Sequence, residues 1–250
     1  EEYDDFTFYH EDLCDLKELE RIFEKNDIDR ICHLAAQAGV RYSVENPHAY
    51  QKSNLEGFTN VLEMARHNDV ENLVFASSSS VYGGNEDIPY KVGDDILEPI
   101  SYYAATKVAN EVMAYSYSHL YDVRCTGLRF FTVYGPWGRP DMAMFKFTDR
   151  IVDGRPIDVY NYGDMKRDFT FIDDIVEGVI SSLEESYEYE IFNLGNNTPV
   201  KLMDFIHMLE DALGMEAEKN MMEMQPGDMK VTYADISKSK EKLGYEPKTN

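Results

Sequence analysis

The sequence predicts an α/β protein in which a parallel sheet carries helices on both faces and a smaller mixed α/β domain follows. Through the first half of the chain, apolar segments of strand length alternate with helical patterns. This alternation is typical of parallel sheets built from strand–helix–strand units. After Phe131 it gives way to an irregular segment rich in glycine and proline. We therefore expect a first domain over residues 1–132 and a second over residues 133–250.

The first domain begins with a predicted short strand and turn, FTFYHEDLCD. A helix is predicted next because Leu16, Leu19 and Phe23 recur at helical spacing. Asn46 and Pro47 predict the start of a longer helix, as N-cap and first-turn residue. The other predicted elements are the strand RICHLAA before that helix, then the strand NLVFASS, a loop over residues 82–99, the helix YYAATKVANEVMAYSYSHLY and the strand VRCTGLRF.

The second domain is predicted to open with the irregular segment TVYGPWGRPDMAMFKF, which leads into a helix ending near residue 153. We expect a hairpin, RPIDVYNYGDMKRDFTF, after that helix. A helix over residues 173–185 is predicted to pack back on the first domain. The strand YEIFNLG and the helix KLMDFIHMLEDALG follow.

The composition excludes several kinds of partner. The formal net charge of −23 and the sequence pI near 4.5 argue against nucleic acid and anionic membranes, which both need a basic face. The three cysteines match no metal or redox spacing, so we expect reduced thiols and no metal site. Without a long apolar segment or a basic N-terminus, a cytoplasmic protein is expected.

In such sheets, ligands bind beyond the carboxyl ends of the strands. Three predicted strand ends carry candidate groups. Ala35 and Ala36 would let a flat ligand approach the backbone closely. The serines at 78–80 end the second strand, and Phe131 with Thr132 ends the third.

A Tyr-x-x-x-Lys pair, Tyr103 and Lys107, follows the serines in the next predicted helix. Positions i and i+4 share one face of a helix, so we expect both side chains to point the same way. A nearby ammonium favours the phenolate and would lower the pKa of Tyr103 from about 10. Tyr103 would then act as a base, with the Ser78 hydroxyl holding the oxygen that loses its proton. This combination predicts hydride-transfer chemistry on an alcohol.

Five sequence blocks, in order, resemble the extended short-chain dehydrogenase/reductase superfamily, and within it most closely the UDP-glucuronate 4-epimerases. They cover nearly the whole chain: HLAAQAGVRYSVENP, FASSSSVYG, YYAATKVANE, GLRFFTVYGPWGRPD and RDFTFIDDIVEGV. The resemblance implies a Rossmann-like, doubly wound sheet that binds NAD, and a second domain that binds a UDP-sugar. It also implies a homodimer formed through helices 47–67 and 102–121.

The resemblance assigns roles to individual residues. Tyr103 takes the proton of the sugar 4-hydroxyl while NAD accepts hydride from C4, and the hydride then returns to the other face. Ser78 and Lys107 complete the catalytic set. The cofactor-binding residues implied are Tyr103 and Lys107 with Asp12, Leu13, Leu34, Ala35 and Ala36. The substrate-binding residues implied are Ser79, Ser80, Arg41, Thr132, Arg139, Arg167 and Asp228.

The choice of substrate depends on Arg41, Thr132 and Arg139. Galactose-type epimerases usually carry Asn at the position of Thr132, whereas hydroxyl and cationic groups suit the carboxylate of a uronate. The related uronate decarboxylases use similar groups, so decarboxylation stays an alternative, as does another epimerase or dehydratase activity. A non-catalytic nucleotide-sugar-binding homologue is the alternative from a different class.

One expected feature is absent from the printed chain. A Gly-x-Gly-x-x-Gly turn normally cradles the pyrophosphate of a dinucleotide at a helix N-terminus, and the glycines here do not form one. We therefore expect the first glycine-rich strand–helix–strand unit to be missing from the printed chain. We expect the chain as printed to bind NAD poorly, and the choice between NAD and NADP stays open.

Overall fold

The computed structural model describes residues 5–225 and 228–249. The helices are α1 (Leu16–Lys25), α2 (Val40–Glu45), α3 (Pro47–Tyr50), α4 (Gly57–His67), α5 (Tyr102–Tyr121), α6 (Ala143–Val152), α7 (Ile172–Glu184), α8 (Leu202–Leu213) and α9 (Ser237–Leu243). The strands are β1 (Arg30–His33), β2 (Asn72–Ser78), β3 (Cys125–Phe130), β4 (Thr132–Tyr134), β5 (Ile157–Val159), β6 (Lys166–Phe171), β7 (Tyr189–Leu194), β8 (Pro199–Lys201), β9 (Lys219–Met221) and β10 (Val231–Thr232).

The main sheet contains four parallel strands in the order β1-β2-β3-β7. Neighbouring residues of β2 face opposite sides of it. Leu73 and Phe75 pack with α4 and α5, whereas Val74 packs with α7 and α9. Because both faces of the sheet are covered, apolar side chains of its central strands are buried on both sides. The predicted α/β fold with a doubly wound parallel sheet is confirmed.

The predicted helix over residues 47–67 forms, but with a change of winding in the middle. Asn46 caps its start by accepting a hydrogen bond from the backbone N–H of Ala49 (3.3 Å). Residues Gln51–Glu56 form a π-helical turn between α3 and α4. Such turns are frequent at functional sites. This one buries Asn54, whose side chain donates to Thr106 Oγ1 of α5 (3.0 Å).

Two predicted elements are absent from the described part of the chain. Residues 6–12 form no strand, and Phe6 and Phe8 are about 70% exposed (70% and 73%). A strand needs a hydrogen-bonding neighbour, and no described strand pairs with this segment. The predicted hairpin over residues 155–171 is also wrong. Its two strands are β5, which pairs with β9, and β6, which pairs with β4, β8 and β10.

The hairpin does not form because its two strands have other partners. Tyr160–Gly163 connects β5 to β6, and Asn161 and Tyr162 adopt left-handed backbone angles (φ 48° and 51°). Such angles also occur in hairpin turns, so they do not by themselves separate the strands. The backbone N–H of Tyr162 donates to the carbonyl of Met222 (3.0 Å), and the N–H of Met222 donates to the carbonyl of Val159 (2.9 Å). These bonds extend the pairing of β5 with β9.

The second half of the chain contributes to the main sheet as well. Strand β7 pairs with β3, and α7 covers one face. Asn72 Nδ2, at the start of β2, donates to the carbonyls of Ser182 (2.9 Å) and Leu183 (3.2 Å) in the last turn of α7. The domain boundary after residue 132 stays a prediction.

Within residues 5–225 and 228–249, no helix combines the length and apolar character that crossing a bilayer requires. The same residues contain no group of three or more His, Cys, Asp or Glu side chains arranged to hold a metal ion.

Candidate active site

Ser78 is the last residue of β2 and caps the turn that follows it. Its Oγ accepts hydrogen bonds from the backbone N–H of Ser80 (3.2 Å) and from Ser80 Oγ (2.8 Å). Ser79 is the first residue of that 3₁₀ turn. Three of the predicted residues therefore lie together at the carboxyl end of the central strands, as expected for a ligand site in a parallel sheet.

Tyr103 lies in the first turn of α5, beside Ser78. Ser101 begins this helix, and its Oγ accepts from the backbone N–H of Ala104 (3.1 Å). The Ser78 hydroxyl lies close enough to Tyr103 to favour its phenolate. Burial raises the pKa of Tyr103, while Ser78 and the charge of Arg139 act to lower it. The structure thus brings a phenol, a serine hydroxyl and a guanidinium to one place.

Lys107 lies one turn after Tyr103 and is only 3% exposed. Its Nζ donates to the backbone carbonyl of Ala76 in β2 (2.8 Å). Burial lowers the pKa of Lys107 to about 8, and the charge of Glu111 opposes that effect. We expected Lys107 to lower the pKa of Tyr103. In the structure, Ser78 and Arg139 have that effect, because the Lys107 ammonium is directed at β2.

Glu111, one turn after Lys107 in α5, forms a buried ion pair with Arg129 of β3. The two oxygens of Glu111 accept from Arg129 Nε (2.9 Å) and Nη2 (2.7 Å), and Ser77 Oγ donates to Glu111 Oε1 (2.5 Å). Both charged residues are 3% exposed. Sequence reasoning missed this cluster. The one available signal was the spacing of Glu111, a turn after Lys107 on the same helix face.

Tyr50 is a second residue that sequence reasoning missed. It is completely buried, and its ring lies edge-on to Tyr103 with centroids 6.0 Å apart. Its hydroxyl donates to the carbonyl of Gly39 (2.5 Å). Gly39 has a φ of +104°, and a Cβ there would lie 3.4 Å from Arg139 Nη2. Tyr50 thus fixes a glycine turn that an L side chain would strain, next to the Arg139 guanidinium.

Arg139 belongs to the loop after β4, and its charge acts on Tyr103. Its guanidinium forms two hydrogen bonds to Asp141, Nε to Oδ1 (3.0 Å) and Nη2 to Oδ2 (2.5 Å). Both side chains of the pair are about half exposed, 46% and 54%. Arg139 therefore already binds a carboxylate in the forked geometry that guanidinium favours.

The other two residues of the predicted uronate site are placed differently. Arg41, in α2, lies over the ring of Tyr160 with its Cζ 5.3 Å from the centroid. Thr132 begins β4, where it pairs with Phe169 and is partly buried. These contacts do not join either residue to Tyr103.

Arg167 and Asp228 lie together in the second half of the chain. Arg167 Nη1 donates to the carbonyls of Lys166 (2.9 Å) and Lys230 (3.3 Å). Burial lowers the pKa of Arg167, and the charge of Asp228 opposes that effect. The pair is therefore close enough to interact.

Three of the predicted cofactor-binding residues line a groove beside β1. The groove has a volume of about 310 Å³ and is mostly apolar. Its lining includes Leu13, Leu34 and Ala35, while the adjoining Ala36 is exposed. Asp12 lies nearby in sequence, and its carboxylate accepts from the backbone N–H of Cys14 (2.9 Å) and from Lys52 Nζ (3.2 Å). Both bonds lower the pKa of Asp12, and the bond from Cys14 has the larger effect.

Comparison with known proteins gives a consistent picture. Residues 1–195 match the NAD dependent epimerase/dehydratase family. An uncharacterized protein of Methanocaldococcus jannaschii is 54% identical over 98% of this chain and 76% of its own length. UDP-glucuronate 4-epimerase 1 of Arabidopsis thaliana is 46% identical over 96% of this chain and 60% of its own length.

A solved structure is also similar. UDP-glucuronic acid 4-epimerase from Bacillus cereus, in complex with UDP-glucuronic acid and NAD, superposes with a TM-score of 0.89 at 35% identity. The match covers 99% of this chain and 78% of that one. The resemblance read from the sequence motifs is confirmed, and the chain belongs to the NAD dependent epimerase/dehydratase family.

Proposed function

We propose that this protein is an NAD-dependent UDP-glucuronate 4-epimerase. The observation that carries the proposal is the placement of Tyr103, with the Ser78 hydroxyl beside it and the Arg139 guanidinium acting on it. A phenol in this setting can exchange a proton with a hydroxyl, and a guanidinium can hold a carboxylate on the same ligand. A uronate with a free 4-hydroxyl has both groups. The similarity to UDP-glucuronate 4-epimerases supports this choice.

Proton transfer is the task of Tyr103. Burial raises the pKa of the Tyr103 phenol. The Ser78 hydroxyl and the charge of Arg139 oppose that effect and favour the phenolate, which is the form that accepts the 4-hydroxyl proton and later returns it to the sugar oxygen. Ser78 is placed to hold the same sugar oxygen while its proton moves.

The cofactor proposed is NAD, which supplies the acceptor and donor of hydride when bound. The residues present fit its nicotinamide ribose. An ammonium carries three donors, and the bond from Lys107 to Ala76 uses one of them. A buried cation with further donors next to Tyr103 suits ribose hydroxyls. Leu13, Leu34 and Ala35 offer an apolar wall for a flat ring, and Asp12 and Ala36 are the remaining residues proposed for this side.

The uronate carboxylate is assigned to Arg139. Its present partner, Asp141, is half exposed, and exposed ion pairs contribute about 1 kcal/mol or less. A substrate carboxylate can therefore take the place of Asp141 at little cost. Arg41 and Thr132 are proposed to complete the sugar site with Ser79 and Ser80. Arg167 and Asp228 are proposed to bind the nucleotide part of the substrate.

The first test is to incubate the full-length protein with UDP-glucuronate and NAD⁺ and to separate the products. UDP-galacturonate is the expected product. A UDP-pentose would instead support the decarboxylase alternative, since oxidation at C4 uses the same residues. Epimerisation of UDP-glucose without turnover of UDP-glucuronate would show that the uronate assignment of Arg139 is wrong.

Replacing Arg139 with Met is expected to raise the KM for UDP-glucuronate about 10- to 100-fold, because a charged hydrogen bond contributes about 1.5–3 kcal/mol. The KM for UDP-glucose, which lacks the carboxylate, should change far less. Steady-state kinetics with both substrates measures the difference. Asp141→Asn is the matched control and should leave the KM for UDP-glucuronate unchanged or lower. An equal rise for both substrates in the Arg139→Met protein would contradict the assignment.

We also propose that the protein is a cytoplasmic homodimer formed through helices 47–67 and 102–121. The support lies on the outer face of α5, where Val112, Tyr115 and Leu120 are 56%, 55% and 64% exposed. Large apolar side chains clustered on one helix face are typical of subunit interfaces.

A further inference from the structure

The geometry points to Ser77, Glu111 and Arg129 as positioning residues that set where Ser78 and Lys107 lie relative to Tyr103. We refer to these three residues as the Ser77 cluster. The inference rests on the proposed function, in which Tyr103 exchanges a proton with the substrate. None of the three residues is proposed to touch substrate or cofactor.

Three consecutive residues of β2 face α5. The carbonyl of Ala76 accepts from Lys107 Nζ (2.8 Å). Ser77 Oγ donates to Glu111 Oε1 (2.5 Å), and the Ser78 hydroxyl lies beside Tyr103 and favours its phenolate. The Ser77 bond lies between the two contacts that the proposed chemistry uses. It therefore limits how far the end of β2 can move along or away from α5.

Arg129 holds the Glu111 end of this bond in place. In the sheet, Arg129 of β3 is the direct neighbour of Ser77 of β2. Its guanidinium binds both oxygens of Glu111 (2.9 and 2.7 Å) and donates to the carbonyl of Val92 (3.2 Å). The same guanidinium lies 4.8 Å from the ring centroid of Tyr82. A planar fork bound on several sides has little freedom, so the carboxylate presents Oε1 to Ser77 in one orientation.

The role of Ser77 in positioning can be tested separately from its contribution to the stability of the fold. Its hydroxyl contacts a carboxylate that Arg129 already neutralises. Removing the hydroxyl leaves the ion pair intact but frees the strand end that carries Ser78. Because misplacement of a reacting group by about 1 Å can cost about 100-fold in rate, the loss should appear in kcat rather than in substrate binding.

The matched control is Ser118, which lies in α5, the helix to which Ser77 is bonded. Ser118 is 3% exposed, as Ser77 is, and its Oγ donates to the carbonyl of Glu188 (2.8 Å). Ser118→Ala removes one buried serine hydrogen bond of α5 at the end far from Tyr103. Ser77→Ala and Ser118→Ala should therefore lower the melting temperature to a similar extent. Only the first should affect Tyr103.

The experiment compares the wild type, Ser77→Ala, Ser118→Ala and Ser77→Thr in the full-length protein. For Ser77→Ala, kcat for UDP-glucuronate should fall about 10- to 100-fold with KM within about twofold. Ser77→Thr keeps the hydroxyl and should retain most of kcat, as should Ser118→Ala. An equal loss of kcat in Ser77→Ala and Ser118→Ala, or no loss in either, would overturn the inference.

A second readout does not need turnover. The ionisation of Tyr103 is measured as the ultraviolet difference titration between each protein and its Tyr103→Phe counterpart. The titratable and charged groups that face Tyr103 are Arg139 and Tyr50. Since Ser78 favours the phenolate, Ser77→Ala should move the titration to higher pH and Ser118→Ala should not.

The two readouts separate the inference from the proposed function. A wild-type protein that does not epimerise UDP-glucuronate refutes the function. The titration then still decides whether the Ser77 cluster positions Ser78, and an unchanged titration in Ser77→Ala would refute the cluster.

Discussion

Replacing Tyr103 with Phe is expected to lower kcat for UDP-glucuronate by about 10²- to 10⁴-fold, the usual contribution of a positioned acid or base. The substitution removes one oxygen atom and keeps the ring that packs edge-on against Tyr50. Binding of UDP-glucuronate should therefore stay close to that of the wild type. The loss should be confined to the proton-transfer step, which depends on the phenol oxygen beside Ser78.

Product formation over time and calorimetric binding of UDP-glucuronate measure the two quantities separately. Tyr102→Phe is the matched control, since Tyr102 is the adjacent residue of α5 and is 39% exposed. It should keep the wild-type kcat. Turnover by the Tyr103→Phe protein at a rate near that of the wild type would refute the proposed mechanism. A wild-type protein that binds UDP-glucuronate but shows no turnover would instead favour the non-catalytic homologue.

Sequence reasoning located the central site residues because they depend on local pattern. Ser78 ends an apolar strand, and Tyr103 and Lys107 are one turn apart in the next helix. The fold class then brings a strand end and a helix start together at one sheet edge. The Ser78–Tyr103 contact follows from these two facts, so a motif and a fold class are enough to predict it.

The direction of the Lys107 side chain could not be predicted in this way. Spacing places it on the face of Tyr103, but the carbonyl of Ala76 is the partner that its ammonium reaches. Glu111 was missed for a related reason. A glutamate in a helix is usually exposed to solvent, and its burial here depends on Arg129, a residue of a different strand. Pairings between distant segments have no signature in a single sequence.

The errors in the fold have the same origin. The segment over residues 6–12 has the composition of a strand, yet strand formation depends on a neighbour rather than on propensity. The predicted hairpin joined two real strands, β5 and β6. Each pairs with other strands, β5 with β9 and β6 with β4, β8 and β10, and a single sequence does not show these partners.

Glu111→Gln is expected to give the largest loss of stability among the substitutions considered. The Glu111–Arg129 pair is almost fully buried, with side chains 4% and 3% exposed. Breaking such a pair costs about 3–5 kcal/mol, because the remaining charge stays buried without a counter-ion. Gln has one acceptor oxygen in place of two. Because Arg129 donates to both carboxylate oxygens of Glu111, the amide NH₂ of Gln must face an N–H of Arg129.

Urea denaturation of both proteins measures the difference in unfolding free energy. The matched control is Asp149→Asn, which neutralises one partner of the exposed Arg155–Asp149 pair (2.7 Å; side chains 52% and 70% exposed). That change should cost no more than about 1 kcal/mol. A loss of this small size for Glu111→Gln as well would show that the ion pair contributes little.

The double substitution Glu111→Met with Arg129→Met separates charge from packing. Replacing both partners of a buried pair with apolar side chains of similar volume is often neutral or stabilising. The double variant should therefore be more stable than Glu111→Gln. It should still have a low kcat, because Ser77 has lost its acceptor. If stability recovers but turnover does not, the buried ion pair serves the relative positions of Ser78, Tyr103 and Lys107 rather than the stability of the fold.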